Sequence, residues 1–296
     1  MSLVVARIEG LNLFIESDSK VSDPLMVQKS PVCSVIKTVI LNPLVTLSYA
    51  GDVHLAEEII RNFYIKGISN VEEFIELINH ISEGSTLDTD FIIGAADGGS
   101  PRLFRIRNNC QVERDLTSTW IGDVEAYSKY QEVYHSLEKN NPSYREMRVA
   151  ISEVINSNKF ESVGWFNVSV FLDHEIHVHP VFAYDIGLNL DANVKQHIPE
   201  NTKTPLSVGS IEGGAYGVTF FASLSPKAIG LGIYFVHANL GILYYPKYSL
   251  QGEIIKGKSP VDFIKSILEK YNMPLHGFYL DEQGRFKHID ARKLLA

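Results

Sequence analysis

Ser2-Leu-Val-Val-Ala-Arg-Ile-Glu-Gly10, followed by Leu11-Asn-Leu-Phe-Ile15 and Ser17-Asp18-Ser19-Lys20, decides how the rest of the chain is read. Leu3 to Ile8 is mostly apolar and β-branched, Glu9-Gly10 is a turn signal, and Leu11 to Ile15 is apolar again. The chain therefore opens as a β-hairpin. Partners across an antiparallel turn keep a constant sum of residue numbers. A turn centred on Gly10 makes that sum about 20 and sets Asp18 across from Ser2. Methionine is commonly removed before a small residue, and loss of Met1 would leave Ser2 with a hydroxyl and a free α-amine. Such an amine has a pKa of about 7.7–8.0, so it can take the proton of its own hydroxyl.

Outward from this hairpin, Val35 to Leu41 pairs with Val45 to Ala50 across Asn42-Pro43. Lys37 interrupts an otherwise apolar strand. A buried ammonium is costly unless paired, and Asp18 is its obvious partner. A lysine there also lowers the pKa of a nearby amine or hydroxyl. Gly51 ends the second hairpin just before Asp52, a good N-cap. A glycine at a strand-to-helix junction exposes a backbone N–H beside the positive helix end, which suits an oxyanion.

The period then changes. Leu55, Ile59, Ile60 and Phe63 keep helical spacing, and a second helix after Asn70 carries Val71, Phe74, Ile75, Ile78 and Ile81. Short strands return at Phe91–Ala95, Arg102–Arg107, Gln111–Glu113 and Ser118–Ile121. Two helices follow, about Val124–Leu137 and from Asn141-Pro142 to about Ile155. A hairpin is expected at Val163–Leu172 and Glu175–Val181, turning at Asp173-His174. Helices come in pairs between groups of strands, which argues for stacked antiparallel sheets with helix layers rather than a βαβ sheet. Residues 185–214 read as a long loop or cover. Strand-like runs return at Tyr216–Ala222 and Ile229–Tyr245. A last helix is capped by Ser259, with Pro260 at its start and Asp262 three residues after the cap.

Composition narrows the classes. The 296 residues carry 27 basic against 35 acidic side chains, a net charge of −8, and no basic stripe, so no nucleic-acid partner is expected. Two cysteines, Cys33 and Cys110, make no disulfide framework, and Cys33 lacks a companion histidine for a nucleophile. No apolar run approaches the ~20 residues of a membrane helix, and no secretory leader is evident, so a cytoplasmic protein without a membrane partner is expected. His174, His177 and His179 lack a carboxylate or cysteine at ligand spacing and read as a surface hairpin, so no metal is expected. Gly209-Ser-Ile-Glu-Gly-Gly214 lacks the lysine and following Ser/Thr of a phosphate loop, and no cofactor is expected. Tyr244-Tyr245 and Phe220-Phe221 read as core or interface.

Together, Ser2 to Gly10, Ser17 to Lys20, Lys37-Thr-Val-Ile-Leu-Asn-Pro43 and Ser48-Tyr-Ala-Gly51-Asp52 resemble the N-terminal third of proteasome β subunits and their bacterial relatives, the N-terminal-nucleophile hydrolases. Asp90-Phe-Ile-Ile-Gly-Ala-Ala-Asp-Gly-Gly99 with Arg102-Leu-Phe-Arg-Ile106, then Trp120-Ile-Gly-Asp123, are similar to the family's next landmarks. Asp18 keeps the family spacing from Ser2, and Lys37, Asn42 and Gly51 keep theirs. The resemblance covers roughly residues 2–182. It implies an α+β fold, a four-layer αββα sandwich over residues 1–184. Residues 185–296 exceed the usual family length and lie outside the resemblance; they are expected to form a C-terminal α/β extension, a lid or additional strands and a helix.

It also implies amide-bond hydrolysis, with Ser2 as nucleophile and base, Asp18 and Lys37 as the charge pair and Gly51 as the oxyanion donor. Assembly as a homo-oligomer, often a ring, follows, with any ATPase partner left open. At the family's Gly-Ser-Gly landmark this chain reads Gly122-Asp123-Val124, so Asp123 replaces the supporting serine. Near the Asp-x-x-Ser-Gly landmark it reads Lys159-Phe-Glu-Ser162-Val-Gly164. Ser162 matches the serine, with the aspartate absent or displaced to Glu161. The expected substrate is a peptide or a small amide. A catalytically silent binding or assembly protein of the same fold is the alternative.

Overall fold

The computed structural model describes residues 2–21, 34–85, 88–107, 111–137, 143–173, 181–187, 218–235, 239–257, 259–280 and 286–294. In chain order, β1 (Leu3–Glu9), β2 (Asn12–Ser17), β3 (Thr38–Asn42) and β4 (Val45–Ala50) lead into α1 (Val53–Lys66) and α2 (Val71–Glu83). Next come β5 (Asp90–Asp97), β6 (Ser100–Ile106), β7 (Val112–Glu113) and β8 (Ser118–Gly122), then α3 (Val124–Ser136) and α4 (Ser143–Asn156). β9 (Asn167–Asp173), β10 (Val181–Gly187), β11 (Val218–Ser225), β12 (Ala228–Phe235), β13 (Leu240–Tyr245) and β14 (Ser249–Lys256) follow. α5 (Pro260–Tyr271), β15 (His276–Leu280) and β16 (Phe286–Asp290) come last, before a 3-10 turn at Ala291–Leu294.

The fold is mixed α+β, built on three antiparallel sheets ordered β10-β9-β2-β1-β8, β3-β4-β5-β6-β7 and β14-β13-β12-β11-β15-β16. Alternation decides the faces. Val4, Ala6, Leu13 and Ile15 of the first sheet share one buried cluster with Leu47, Ile93 and Leu103 of the second. Leu3, Val5 and Phe14 point the other way and pack with Ala126, Tyr130, Met147 and Ile151 of α3 and α4. Ile59, Phe63, Phe74 and Ile78 of α1 and α2 join the cluster of the second sheet. Asp52 caps α1 as expected, accepting from the N–H of Leu55 at 2.9 Å, and Asn70 caps α2, accepting from that of Glu73 at 2.9 Å; the expected cap Asn141 lies outside the described residues. Ser259 accepts from the N–H of Asp262 at 3.1 Å.

Several expectations are corrected. The first turn is Gly10-Leu11, because Glu9 pairs with Asn12; Gly10 takes φ +61 and Leu11 is left exposed. The sum is thus one higher than expected, and Asp18 lies opposite Leu3, donating its N–H to the Leu3 carbonyl at 3.2 Å. Residues 35 and 36 leave the second hairpin, while Lys37 keeps one bond to it through its carbonyl. Val35 instead forms a bridge with Gln251, since the third sheet offers it an unpaired edge. The late hairpin partner of β9 is residues 181–187 rather than 175–181, because Phe182, Tyr184 and Ile186 supply the alternating buried face. Positions 174–180, including the three histidines, lie outside the described residues, as do Cys33, Cys110 and 188–217. β10 runs across position 184.

The extension expected as α/β has consecutive strands joined as antiparallel hairpins, with α5 on one face. Ile229, Leu231, Ile233, Ile242 and Tyr244 face the main cluster. Tyr234, Leu243 and Tyr245 face Phe263 and Ile267 of α5. The third sheet meets β3 and β10, the edge strands of the other two sheets, and so covers them. Gly241 makes room for α5, because a Cβ there would lie 2.1 Å from the Phe263 ring. We expect Gly241→Ala to cost about 1–3 kcal/mol, as overpacking does. A urea midpoint equal to that of the parent would refute it.

Candidate active site

Asp18 is the hub of the site. It is fully buried at the end of β2, with five hydrogen bonds on its carboxylate. Oδ1 accepts from the Leu3 N–H at 2.9 Å, and Oδ2 from the N–H groups of Lys20 at 3.0 Å and Gly164 at 3.1 Å. Lys37 Nζ donates to both oxygens at 2.9 Å. The pair is dry, with the lysine side chain 3% and the aspartate 0% exposed. Burial pushes the Lys37 ammonium below its ordinary pKa. Asp18 works against that shift and the charge of Lys20 adds to it. The backbone holds Lys37 in place too, since its carbonyl accepts from the Tyr49 N–H at 3.0 Å.

Ser2 is buried beside this pair. The peptide joining Ser2 to Leu3 is clamped on both sides, by Asp18 on its N–H and by the Asp123 N–H, which donates to the Ser2 carbonyl at 2.7 Å. Gly122 permits the approach. It adopts φ +108, and a Cβ there would lie 1.8 Å from the Ser2 carbonyl oxygen and 3.4 Å from the Ala50 Cβ. The same point thus fixes Ala50, and with it the junction at Gly51, against Ser2. Gly51 is exposed at φ +139, and its N–H makes no hydrogen bond with a described residue. A side chain at Gly51 would strike the Asp88 carbonyl at 2.3 Å. Asp52 is anchored by its N–H to Thr89 Oγ1 at 2.9 Å, so the junction is held from two directions.

Asp123 does more than stand where a serine was expected. It is the N-cap of α3, its Oδ1 accepting from the N–H groups of Glu125 and Ala126 at 3.0 Å. Its Oδ2 accepts from the Ser162 hydroxyl. Burial raises its pKa, but Ser162 and the two N–H groups outweigh that and hold the carboxyl below its usual range. Ser162 is therefore bound to Asp123, not to Asp18. Glu161 is exposed and does not take the place of an aspartate.

The structure brings Ser2, Asp18, Lys37, Asp123 and Ser162 into one continuous set of contacts, with Gly51 at its border. Gly164 is a donor the sequence reading passed over, although it ends the Ser162-Val-Gly164 stretch already singled out. Gly122 was also missed; its signal was a glycine at the end of a strand beside a cap residue. The third sheet reaches the site as well. Ile36 N–H donates to the Leu250 carbonyl at 3.2 Å, Gly252 N–H to the Ser34 carbonyl at 3.4 Å, and Ser34 bonds the Tyr244 hydroxyl. These contacts fasten residues 34–36, immediately before Lys37, to β13 and β14. A scan against protein-family models and a search of curated proteins each return no match to this chain.

Proposed function

We propose that this chain is an N-terminal-nucleophile hydrolase that cleaves an amide bond through an acyl-enzyme on Ser2. The observation that carries the reading is the buried Asp18–Lys37 pair clamped to the Ser2–Leu3 peptide. With Met1 removed, the Ser2 α-amine accepts the proton of its own hydroxyl as that hydroxyl attacks the substrate carbonyl. The Lys37 ammonium lowers the proton affinity of the nearby groups. The Gly51 N–H, which has no partner among the described residues, receives the oxyanion. The amine then returns the proton to the leaving nitrogen, and water releases the acyl group by the reverse sequence. Asp123 fixes the Ser2 carbonyl and the Ser162 hydroxyl, and so positions the nucleophile without touching substrate.

The matching fold reading is a four-layer αββα sandwich. The order of packing supports it: α1 and α2, the second sheet, the first sheet, then α3 and α4. A small amide rather than a long polypeptide is favoured by one observation, the attachment of the third sheet to residues 34–36 beside Lys37.

The test is intact-mass analysis after exposure to a hydroxyl-directed acylating probe. The expected result is a species lacking Met1 that gains one adduct in the parent and none in Ser2→Ala. An equal adduct in Ser2→Ala, or a processed parent that gains none, sinks the hydrolase reading and leaves the silent binding protein of the same fold.

A further inference from the structure

Lys20 and Trp165 leave the Asp18 clamp side by side. The Lys20 N–H and the Gly164 N–H donate to the same Asp18 oxygen, at 3.0 and 3.1 Å, and Trp165 follows Gly164 directly. The Lys20 stem lies on the Gly164 backbone, where a Cβ would come within 2.9 Å of Lys20 Cδ. From there the ammonium sits 5.9 Å from the centre of the Trp165 ring. Both side chains are part-exposed, whereas Asp18 and Lys37 beneath them are buried.

Two further observations point to a ligand. The first is charge. Asp18 gives both oxygens to Lys37, and the Lys20 ammonium is close enough to depress the Lys37 pKa. Asp18 is thus taken up by the Lys37 ammonium and meets Lys20 only through its backbone N–H, so among the described residues the Lys20 ammonium has no carboxylate partner. The second is backbone strain. Trp165 adopts φ +69, a left-handed conformation uncommon for a bulky residue. Such strain persists where the surroundings enforce it, and it gathers at ligand clamps. Here it brings the indole face to the Lys20 ammonium.

We infer that Lys20 and Trp165 form a substrate subsite for a carboxylate-bearing group, with the carboxylate on the Lys20 ammonium and its methylene stem on the indole face. This rests on the hydrolase reading for its role in turnover, but not for binding itself. An aromatic face accepts CH2 groups and a part-exposed ammonium accepts a carboxylate, so an acidic side chain and a chain-terminal carboxylate are the two sources of the same chemistry. The uncharged isostere should bind about fivefold more weakly, the worth of a part-exposed ion pair.

The experiment separates binding from turnover. Full-length Ser2→Ala protein, which cannot form the acyl-enzyme, is titrated with N-acetyl-glutamyl amide and with N-acetyl-glutaminyl amide while tryptophan fluorescence is followed. The glutamyl probe should bind about fivefold more tightly. Its signal should vanish in Trp165→Phe, and Lys20→Gln should bring the ratio near one while Lys20→Arg keeps it. N-acetyl-glutaminyl-alanine and its amide, compared in the same way, tell a terminal carboxylate from a side-chain one. In the active protein the same preference should fall on KM for the matching nitroanilides. Glutamyl binding without any turnover supports the subsite while removing the hydrolase reading. Equal binding of the two probes, or a preference indifferent to Lys20→Gln, overturns the subsite even if amides are cleaved.

Discussion

Lys37→Met is expected to lose about 3–5 kcal/mol of folding stability, the cost of leaving a buried charge without its partner. The arithmetic favours a large effect. Asp18 is 0% exposed and receives two bonds from Lys37 at 2.9 Å, so deletion strands a carboxylate in a dry site. Three backbone N–H groups remain on it, from Leu3, Lys20 and Gly164, which places the cost toward the lower end of the range. The double replacement Asp18→Asn with Lys37→Met should recover much of the loss, because removing both charges also removes the cost of burying them. Urea unfolding of the two single variants, the double variant and the parent gives the coupling. Additive single effects would mean that the two side chains do not act as a pair. On the hydrolase reading both single variants also lose the acylation of Ser2, and the double variant, though stable, does not regain it.

Glu16 should produce a pH-dependent effect of similar size. It lies one pleat behind Asp18, on the face of the first sheet that packs under α4. It is fully buried there, with Oε2 accepting from Asn167 Nδ2 and Ser169 Oγ, each at 2.6 Å. Burial raises its pKa from 4.5 to about 7, against the opposing pull of Ser169, Arg148 and Asn167. The raised value means that the folded protein keeps the proton while the unfolded chain gives it up. Stability therefore falls as pH rises from about 4.5 to about 7 and is flat beyond, by about 3 kcal/mol in all. Glu16→Gln keeps an oxygen for both donors and never ionises. It should match the parent near pH 4.5 and exceed it by about 3 kcal/mol above pH 7. Unfolding midpoints measured at pH 4.5, 6 and 8 check the sign. A variant whose advantage does not grow with pH would contradict a buried neutral carboxyl at this position.

What could be read ahead of the structure was local. Asp52 and Ser259 announced helix starts because a cap is a bond between residues three apart. The first hairpin followed from two apolar runs and a turn glycine. Its register still slipped by one, since a two-residue turn at Gly10-Leu11 and a turn centred on Gly10 differ by a single position. The Asp18–Lys37 pairing was also legible, because a lone cation in an apolar strand demands an anion and Asp18 was its obvious partner.

The rest depended on residues far apart in the chain. That Ser162 joins Asp123, that Gly164 completes the hold on Asp18, and that Gly122 admits the Ser2 carbonyl are products of strands meeting. β14, β15 and β16 gave weak local signals: β14 is only partly buried, so its apolar alternation is diluted. β14 was placed by its backbone bonds to residues 34–36, and β15 and β16 by pairing on from β11. The sequence by itself determined where helices start, where hairpins turn and which charges must pair, because those interactions close over a few residues. Only the tertiary structure decided which surfaces the third sheet covers and which proton Glu16 keeps. Both depend on how much water is excluded when distant segments pack, and no short stretch of sequence contains that quantity.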